Sequence, residues 1–326
     1  MAVEWRGARE ADLDAWVDAL ALIEAVDRTG EVLGRADLEH QVGLSYFDLG
    51  RDARLGWMGT EVVAWGTVVC IPNGRQRRVG LAGAVVPDHR GRGIGSELVE
   101  WQIGRGREMI TASPEVSPAW LELSASQTDE RRAELFRAFG FAPLRYYHEM
   151  RRPLADPIPV VALAPDLTLV PFDFSRDEAT RSAHNEAFLD HFAATQLDRE
   201  SWQTWVTGDH HFDIASSVLV LAGTEIAGYS LTGVYPEEWA GLGFTEGWIH
   251  QLGVRRPWRG QGVAKVLLGA SATAFAGAGL EYAALDVDAD NPTGALALYE
   301  GAGYRRTKTR VAWSLPVPSS SGRAAE

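Results

Sequence analysis

Apolar residues recur along the chain with two different periods, which predict alternating helices and strands. Near the N-terminus, spacings of three and four separate Leu13, Trp16, Val17, Leu20 and Ile23, as on one face of a helix. Short apolar runs predict strands at residues 57–71, 79–86, 120–124 and 146–150. Further helices are predicted at residues 93–109 and 130–139. This alternation is typical of an α/β domain.

The same succession of elements recurs after a proline-rich stretch. Residues 151–166 hold four prolines and predict a linker. Beyond it we predict strands at residues 167–171, 217–222, 225–233, 248–254, 282–287 and 310–315, and helices at 183–192, 262–275 and 293–301. We therefore expect four segments: a first domain at 1–155, a linker at 156–166, a second domain at 167–315 and a disordered tail at 316–326.

The two halves align by residue number. A shift of 169 positions brings Val85, Arg90 and Gly93 onto Val254, Arg259 and Gly262. Farther on, a shift of 163 positions brings Phe136 onto Tyr299. One strand–loop–helix–strand–helix unit used twice indicates an internal duplication.

Composition narrows the class of protein. The chain has 326 residues, 46% hydrophobic and 23% charged, with a net charge of −13. A partner nucleic acid is not expected, because binding phosphates needs clustered cations, whereas acidity favours a cationic acceptor. The longest apolar run, Val62–Ile71, is too short to span a membrane, and nothing resembles a signal peptide. Cys70 has no partner cysteine, and no His/Cys set has metal-ligand spacing, so we expect a cytoplasmic, metal-free protein.

A glycine-rich loop follows an apolar strand in each half and leads into a helix. Glycines allow successive backbone N–H groups to face one point, where the positive end of the helix dipole also lies. Such a loop suits a pyrophosphate. In the first half the residues are Val85, Arg90, Gly91, Arg92, Gly93, Ile94 and Gly95. In the second half they are Val254, Arg259, Gly260, Gln261, Gly262, Val263 and Ala264.

These two loops resemble the coenzyme A signature of the GNAT acetyltransferases: Arg or Gln, two residues, Gly, one residue, then Gly or Ala. The resemblance implies two tandem GNAT folds, each with a mixed, mostly antiparallel central sheet flanked by helices. It also implies acetyl-CoA as co-substrate. In this family the backbone N–H groups at the strand end, here Leu252, Gly253 and Val254, polarise the thioester carbonyl.

The second half also resembles the GNAT pattern around the last helix. Asn291 follows a strand and precedes that helix, where it is suited to capping the helix and to contacting the pantetheine arm. Tyr299 takes the place of the family's tyrosine, which protonates the departing thiolate. The first half has Phe136 at this place, and a phenyl ring has no proton to give. The resemblance therefore implies that the catalytic module is the second one.

The general base is less clearly marked. In the family it often lies six residues before the strand-end valine, where this chain has Trp248. Strict alternation would place Glu246, Trp248, His250 and Leu252 on one face. Either His250 or Glu246 could then take the proton of the acceptor amine.

The expected function is acetylation of the primary amine of a small molecule by direct attack on acetyl-CoA. One alternative is acetylation of a cysteinyl amino-sugar. Another is a non-catalytic acyl-CoA sensor, since phosphate loops alone would serve that purpose. The partners expected are the amine acceptor and neither nucleic acid nor membrane, in a monomer or a homodimer.

Overall fold

The computed structural model describes residues 2–70, 76–112, 118–189, 191–192, 196–291 and 294–318. The chain forms two compact units. Unit 1 comprises the chain up to Leu144 together with residues from Val311 onward, and unit 2 comprises Arg145–Arg310. Within the described residues, no helix is long and apolar enough to cross a membrane.

Unit 1 is built on a mostly antiparallel sheet. Its strands are β1 (Glu4–Gly7), β2 (Ala53–Met58), β3 (Glu61–Cys70), β4 (Arg77–Val85) and β5 (Ala119–Ser126). Neighbours from β1 to β4 pair antiparallel, whereas β4 and β5 run parallel. The helices are α1 (Leu13–Asp27), α2 (Arg35–Val42), α3 (Leu49–Asp52), α4 (Ile94–Thr111) and α5 (Glu130–Ala138). The spacing from Leu13 to Ile23 does form a helix, and its buried residues pack against the sheet.

Unit 2 repeats this plan. Strand β6 (Ala142–Pro153) crosses the unit boundary, and its later residues pair antiparallel with β11 (Tyr282–Asp288). The other strands are β7 (Leu167–Pro171), β8 (Val218–Ala222), β9 (Glu225–Val234), β10 (Glu246–Val254) and β12 (Arg305–Val317), which also crosses the boundary. The helices are α6 (Asp177–Ala187), α7 (Arg199–Trp202), α8 (Pro236–Leu242), α9 (Val263–Gly277) and α10 (Ala295–Gly301).

The order of strands in unit 2 places one parallel pair in the middle of the sheet. Strand β11 lies between β6 and β10, and β10 is followed by β9, β8 and β7. Strands β10 and β11 run parallel, because α9 returns the chain from one to the other, whereas the pairs β6–β11, β9–β10, β8–β9 and β7–β8 are antiparallel. The expected α/β fold, with two mostly antiparallel GNAT-like sheets, is confirmed.

Each unit contains a strand that sequence order would assign to the other half. The sequence pattern places residues 146–150 at the end of the first domain and residues 310–315 at the end of the second. In the structure, residues from Arg145 onward belong to unit 2, and residues from Val311 onward belong to unit 1. There Val311 and Trp313 join the buried cluster around Leu121 and Phe136.

Candidate active site

Strands β10 and β11 separate at the centre of unit 2. Their pairing runs from Glu246 with Tyr282 to Ile249 with Leu285 and ends there, while β10 continues to Val254 and β11 to Asp288. The facing backbone N–H and C=O groups beyond this point do not bond across to the neighbouring strand. They can therefore bond an extended ligand, such as a pantetheine arm, inserted between the strands. We call this gap the β10–β11 opening.

The glycine-rich loop lies at the end of β10. Gly260 (φ 75°) and Gly262 (φ 81°) are both in the left-handed region, which residues with side chains seldom adopt. Gly262 is the N-cap of α9 and supplies no side-chain cap, so the first N–H groups of the helix remain available to an anion.

The arginine of this loop has an internal role. Its Nε donates to the carbonyl of Val254 at 3.0 Å, and its Nη2 donates to the carbonyl of Ala187 at 2.9 Å. Gln261 similarly donates to the carbonyl of Pro257 at 2.9 Å. In this structure Arg259 thus ties the loop to the strand end.

Unit 1 contains the same construction. Gly91 (φ 73°) and Gly93 (φ 83°) match the backbone of the second loop, and Gly93 is the N-cap of α4. Arg90 donates from Nε to the carbonyl of Val85 at 2.8 Å and forms a two-pronged ion pair with Asp27. The parallel strands β4 and β5 also stop pairing early, after Gly80 and Glu122. Both units therefore have the geometry of a pyrophosphate site.

Tyr299 lies beside the β10–β11 opening. It is buried on α10, in the hydrophobic cluster that includes Ile249 and Leu285, the last paired residues of the two strands. Burial raises the pKa of the Tyr299 phenol to about 12. In unit 1, Phe136 is buried against Trp313, with ring centroids 5.9 Å apart. The difference that the sequence indicates between the two modules is thus present in the structure.

His250 occupies a β-bulge. The pairing of β10 with β9 passes from Ile249–Thr232 directly to Gln251–Leu231, which leaves His250 as the extra residue. The bulge corrects the expected alternation, because Ile249 and Leu252 now pack in the same hydrophobic cluster. Leu252 therefore does not share a face with His250.

The His250 ring has an aromatic environment. Its Nε2 lies 3.0 Å from the Tyr235 hydroxyl, and its plane is within 11° of that of Trp248, with centroids 6.2 Å apart. The side chain is accessible to solvent but surrounded by protein atoms, and this desolvation lowers its pKa to about 4. At neutral pH the ring is therefore unprotonated.

Glu246 is buried and fully engaged. Its Oε1 accepts from Nη2 of Arg151 at 2.9 Å and from the indole of Trp248 at 3.1 Å, and its Oε2 accepts from Nε of Arg151. Taking a proton would disrupt a buried ion pair, which is costly. The sequence offered no sign of this pair, since its members are 95 positions apart.

Two contacts of Tyr229 beside the strand end have no counterpart in the sequence patterns. Tyr229 crosses over Gly253: a Cβ at that glycine would lie 2.2 Å from the Tyr229 hydroxyl. That hydroxyl is also 2.9 Å from Nδ1 of the buried His184. A histidine–tyrosine pair therefore lies directly against the strand end expected to bind the thioester, and no short motif connects the three residues.

Asn291 is not the residue at the N-cap position of α10 in the described part of the chain. The N-cap of α10 is Gly294, in the left-handed conformation and without a side-chain cap. The backbone N–H of Asn291 instead donates to the carbonyl of Asp288 at 3.0 Å, so Asn291 lies in the turn that leaves β11. The predicted start of the helix at residue 293 lies outside the described residues.

Comparison with known proteins agrees with this architecture. Residues 178–304 match the Acetyltransferase (GNAT) family, and residues 53–143 match an Acetyltransferase (GNAT) domain. The mycothiol acetyltransferase of Acidothermus cellulolyticus is 31% identical over 70% of this chain and 68% of its own. That of Thermomonospora curvata is 29% identical over 92% and 93%.

Solved structures show the same tandem arrangement. A GCN5-related N-acetyltransferase from Sphaerobacter thermophilus superposes with a TM-score of 0.73 at 26% identity, covering 96% of this chain and 95% of its own. A tandem GNAT protein from the clavulanic acid biosynthesis pathway shares the fold, with a TM-score of 0.69 at 17% identity over 97% and 99%. The chain is a tandem acetyltransferase and belongs to the GNAT family. Within that family it resembles the mycothiol acetyltransferases.

Proposed function

We propose that the protein transfers the acetyl group of acetyl-CoA to the primary amine of a small molecule, and that unit 2 performs the chemistry. One observation carries this assignment: Tyr299 lies buried beside the β10–β11 opening, whereas Phe136 has its place in unit 1. The opening and the loop around Gly262 supply the backbone groups that would hold the pantetheine arm and the pyrophosphate.

The proposed reaction needs three proton transfers. The acceptor ammonium loses its proton, directly or through water, to His250, which is unprotonated at neutral pH. The neutral amine then attacks the thioester carbonyl and forms the C–N bond. As the C–S bond breaks, Tyr299 gives its proton to the coenzyme A thiolate. The attacking nitrogen then loses its second proton, which passes through water to the Tyr299 phenolate and leaves a neutral amide. We favour His250 over Glu246 as the base because both oxygens of Glu246 are engaged by Arg151.

Backbone groups complete the proposed site. The N–H groups of the strand end Leu252–Val254 would polarise the thioester carbonyl. Gly253 suits this position, because any side chain there would collide with Tyr229. We propose that the loop from Arg90 to Gly95 in unit 1 binds a second coenzyme A without catalysis, since its backbone matches that of the second loop.

The acceptor of the mycothiol acetyltransferases is a second candidate. It is favoured by the similarity to those relatives along almost the whole tandem chain. This hypothesis predicts acetylation of a cysteinyl amino-sugar in preference to simple amines. Incubation of the protein with acetyl-CoA and a panel that includes both kinds of amine, with the products identified by mass spectrometry, decides between them. Tight acetyl-CoA binding without turnover of any amine would instead indicate an acyl-CoA sensor.

The role of Tyr299 is tested by Tyr299→Phe. Losing the proton donor should lower kcat at least about 10-fold while acetyl-CoA still binds, because only the leaving-group step is affected. Tyr282→Phe, at the start of β11, serves as the control and should retain full activity. An unchanged kcat in Tyr299→Phe would exclude Tyr299 as the acid.

A further inference from the structure

Asp286 lies on β11 at the edge of the β10–β11 opening and has no part in the mechanism above. Its neighbours Leu285 and Val287 both pack in the hydrophobic cluster with α9 and α10. The side chain of Asp286 therefore points to the opposite face of the sheet, which Trp248 and His250 also occupy, since Ile249 packs in that same cluster.

The carboxylate of Asp286 is only weakly engaged. Its partner among the described residues is Arg310, at 3.3 Å, and both side chains are exposed, by 44% and 46%. An exposed ion pair of this length contributes little and is readily rearranged by a competing cation. The carboxylate of Glu246, by contrast, is buried and held by Arg151. Two further carboxylates of this face, Glu149 and Asp288, are less exposed and pair with Arg151 and Arg145. Asp286 is thus the most exposed of these carboxylates and the one best placed to turn toward a ligand.

The surroundings of Asp286 favour direct contact between its carboxylate and a cationic ligand. Protein atoms around the side chain raise the pKa of its carboxyl by desolvation, although solvent can still reach it. A carboxylate in such a place gains more from a cationic partner than one in open water does. The positive charges of Arg310 and Arg151 lower this pKa, whereas the negative charge of Glu149 raises it further.

A pair of nearly parallel rings lies on the neighbouring strand. The planes of Trp248 and His250 differ by 11°. Trp248 is in register with Ala284, and Asp286 follows two residues later. With strands about 4.8 Å apart and same-face residues about 6.8 Å apart, the backbones of Trp248 and Asp286 are at least about 8 Å from one another. A ring joined to an amine by a few bonds spans such a distance.

We propose that Asp286 binds the ammonium group of the acceptor and that Trp248 and His250 align with its ring, so that the acceptor is a primary amine carrying a flat or sugar ring. This inference rests on the proposed function, because it concerns the acceptor of the same site. An ammonium held by Asp286 lies across the opening from His250, which would receive its proton. Asp286 is a substrate-binding residue in this scheme, and it loses and gains no proton.

Binding measurements test the proposal independently of turnover. Phenethylamine, glucosamine and n-hexylamine are titrated by calorimetry into the full-length protein saturated with coenzyme A, which cannot react. At least one ring amine should bind about 5-fold or more tighter than n-hexylamine. Asp286→Asn should weaken binding of that amine at least about 10-fold and leave coenzyme A affinity unchanged. Asp290→Asn, an exposed carboxylate farther along the same chain segment, is the matched control and should change nothing.

The Trp248→Leu variant tests recognition of the acceptor's ring separately from recognition of its ammonium charge. It should weaken the ring amine about 5-fold or more and leave n-hexylamine unaffected. Equal affinity of ring and linear amines, or unchanged amine affinity in Asp286→Asn, would overturn the proposal. So would a loss of kcat in Asp286→Asn with amine affinity intact, because that result would make Asp286 the base. Failure to acetylate any amine would refute the proposed function, whereas the titrations would still decide the binding site.

Discussion

At the scale of single residues, desolvation by the surrounding protein atoms sets the protonation state of the candidate site in unit 2. It lowers the pKa of His184 and of His250 to about 4, and it raises the pKa of Tyr299 to about 12. At neutral pH both histidines are therefore neutral and the phenol keeps its proton. Desolvation is the largest cause of each of these shifts, and nearby charges such as those of Asp209 and His211 at His250 contribute less.

The lowered pKa of His184 makes the stability of the protein depend on pH. His184 is buried, and its folded pKa of about 4 lies below the ordinary histidine value of about 6.5. Between these values the unfolded chain binds the extra proton, so stability is complete above pH 6.5 and falls as the pH drops toward 4. At pH 5 the loss should be roughly 2 kcal/mol.

Urea unfolding of wild-type protein and His184→Gln at pH 8 and pH 5 measures this contribution. The variant should lose less stability than the wild type between the two pH values, although it starts lower because the bond to Tyr229 is altered. His250 titrates in the same direction but is open to solvent, so its share should be smaller. Identical pH slopes in both proteins would show that His184 is not held neutral.

At the scale of elements, the two phosphate loops permit a direct count of cofactors. Each places a glycine with φ near 80° at the N-cap of a long helix. A Cβ would meet no atom within 4 Å at Gly93 and only Val161, at 3.5 Å, at Gly262. Alanine at either position would therefore act through the backbone conformation rather than by collision.

Native mass spectrometry should find two coenzyme A molecules per wild-type chain and one in either Gly93→Ala or Gly262→Ala. Only Gly262→Ala should also reduce acetyl transfer, by about 10-fold or more. Gly277→Ala, at the last residue of α9, likewise has no neighbour within 4 Å of the added carbon and should retain both. A single coenzyme A in the wild type that persists in Gly262→Ala would place the binding in unit 1.

Comparison of the predicted with the observed elements shows which features of the fold local sequence patterns can predict. Most helices and strands follow from local spacings of apolar residues, and many of them were predicted close to their observed positions. Strand β1 and the short helices α2, α3, α7 and α8 were not predicted, and the helix expected at residues 183–192 is found at Asp177–Ala187. The bulge at His250 was not predicted, because strict alternation is the only rule available without a partner strand, and so Leu252 was placed on the wrong face. The pairing of Glu246 with Arg151 likewise depends on register between distant strands, which local patterns do not encode.

At the scale of the whole molecule, the last strand shows that the compact units do not follow the order of the sequence. Residues from Val311 onward complete unit 1 although they follow all of unit 2 in the chain. Trp313 is 4% exposed there, packs edge-on against Phe136 and lies under Arg137, with its ring centroid 5.3 Å from the guanidinium carbon. The core of unit 1 therefore depends on the C-terminal end of the chain.

Trp313→Ala should consequently weaken unit 1. Removing a buried tryptophan costs about 3–5 kcal/mol, and the loss should appear as faster amide hydrogen exchange in β5 and α5 while β10 and β11 are spared. Tyr304→Ala is the matched variant, since Tyr304 is nine residues earlier and buried in the core of unit 2. It should give the reverse pattern. If Trp313→Ala instead accelerated exchange mainly in β10 and β11, the strand would belong energetically to the module that precedes it in sequence.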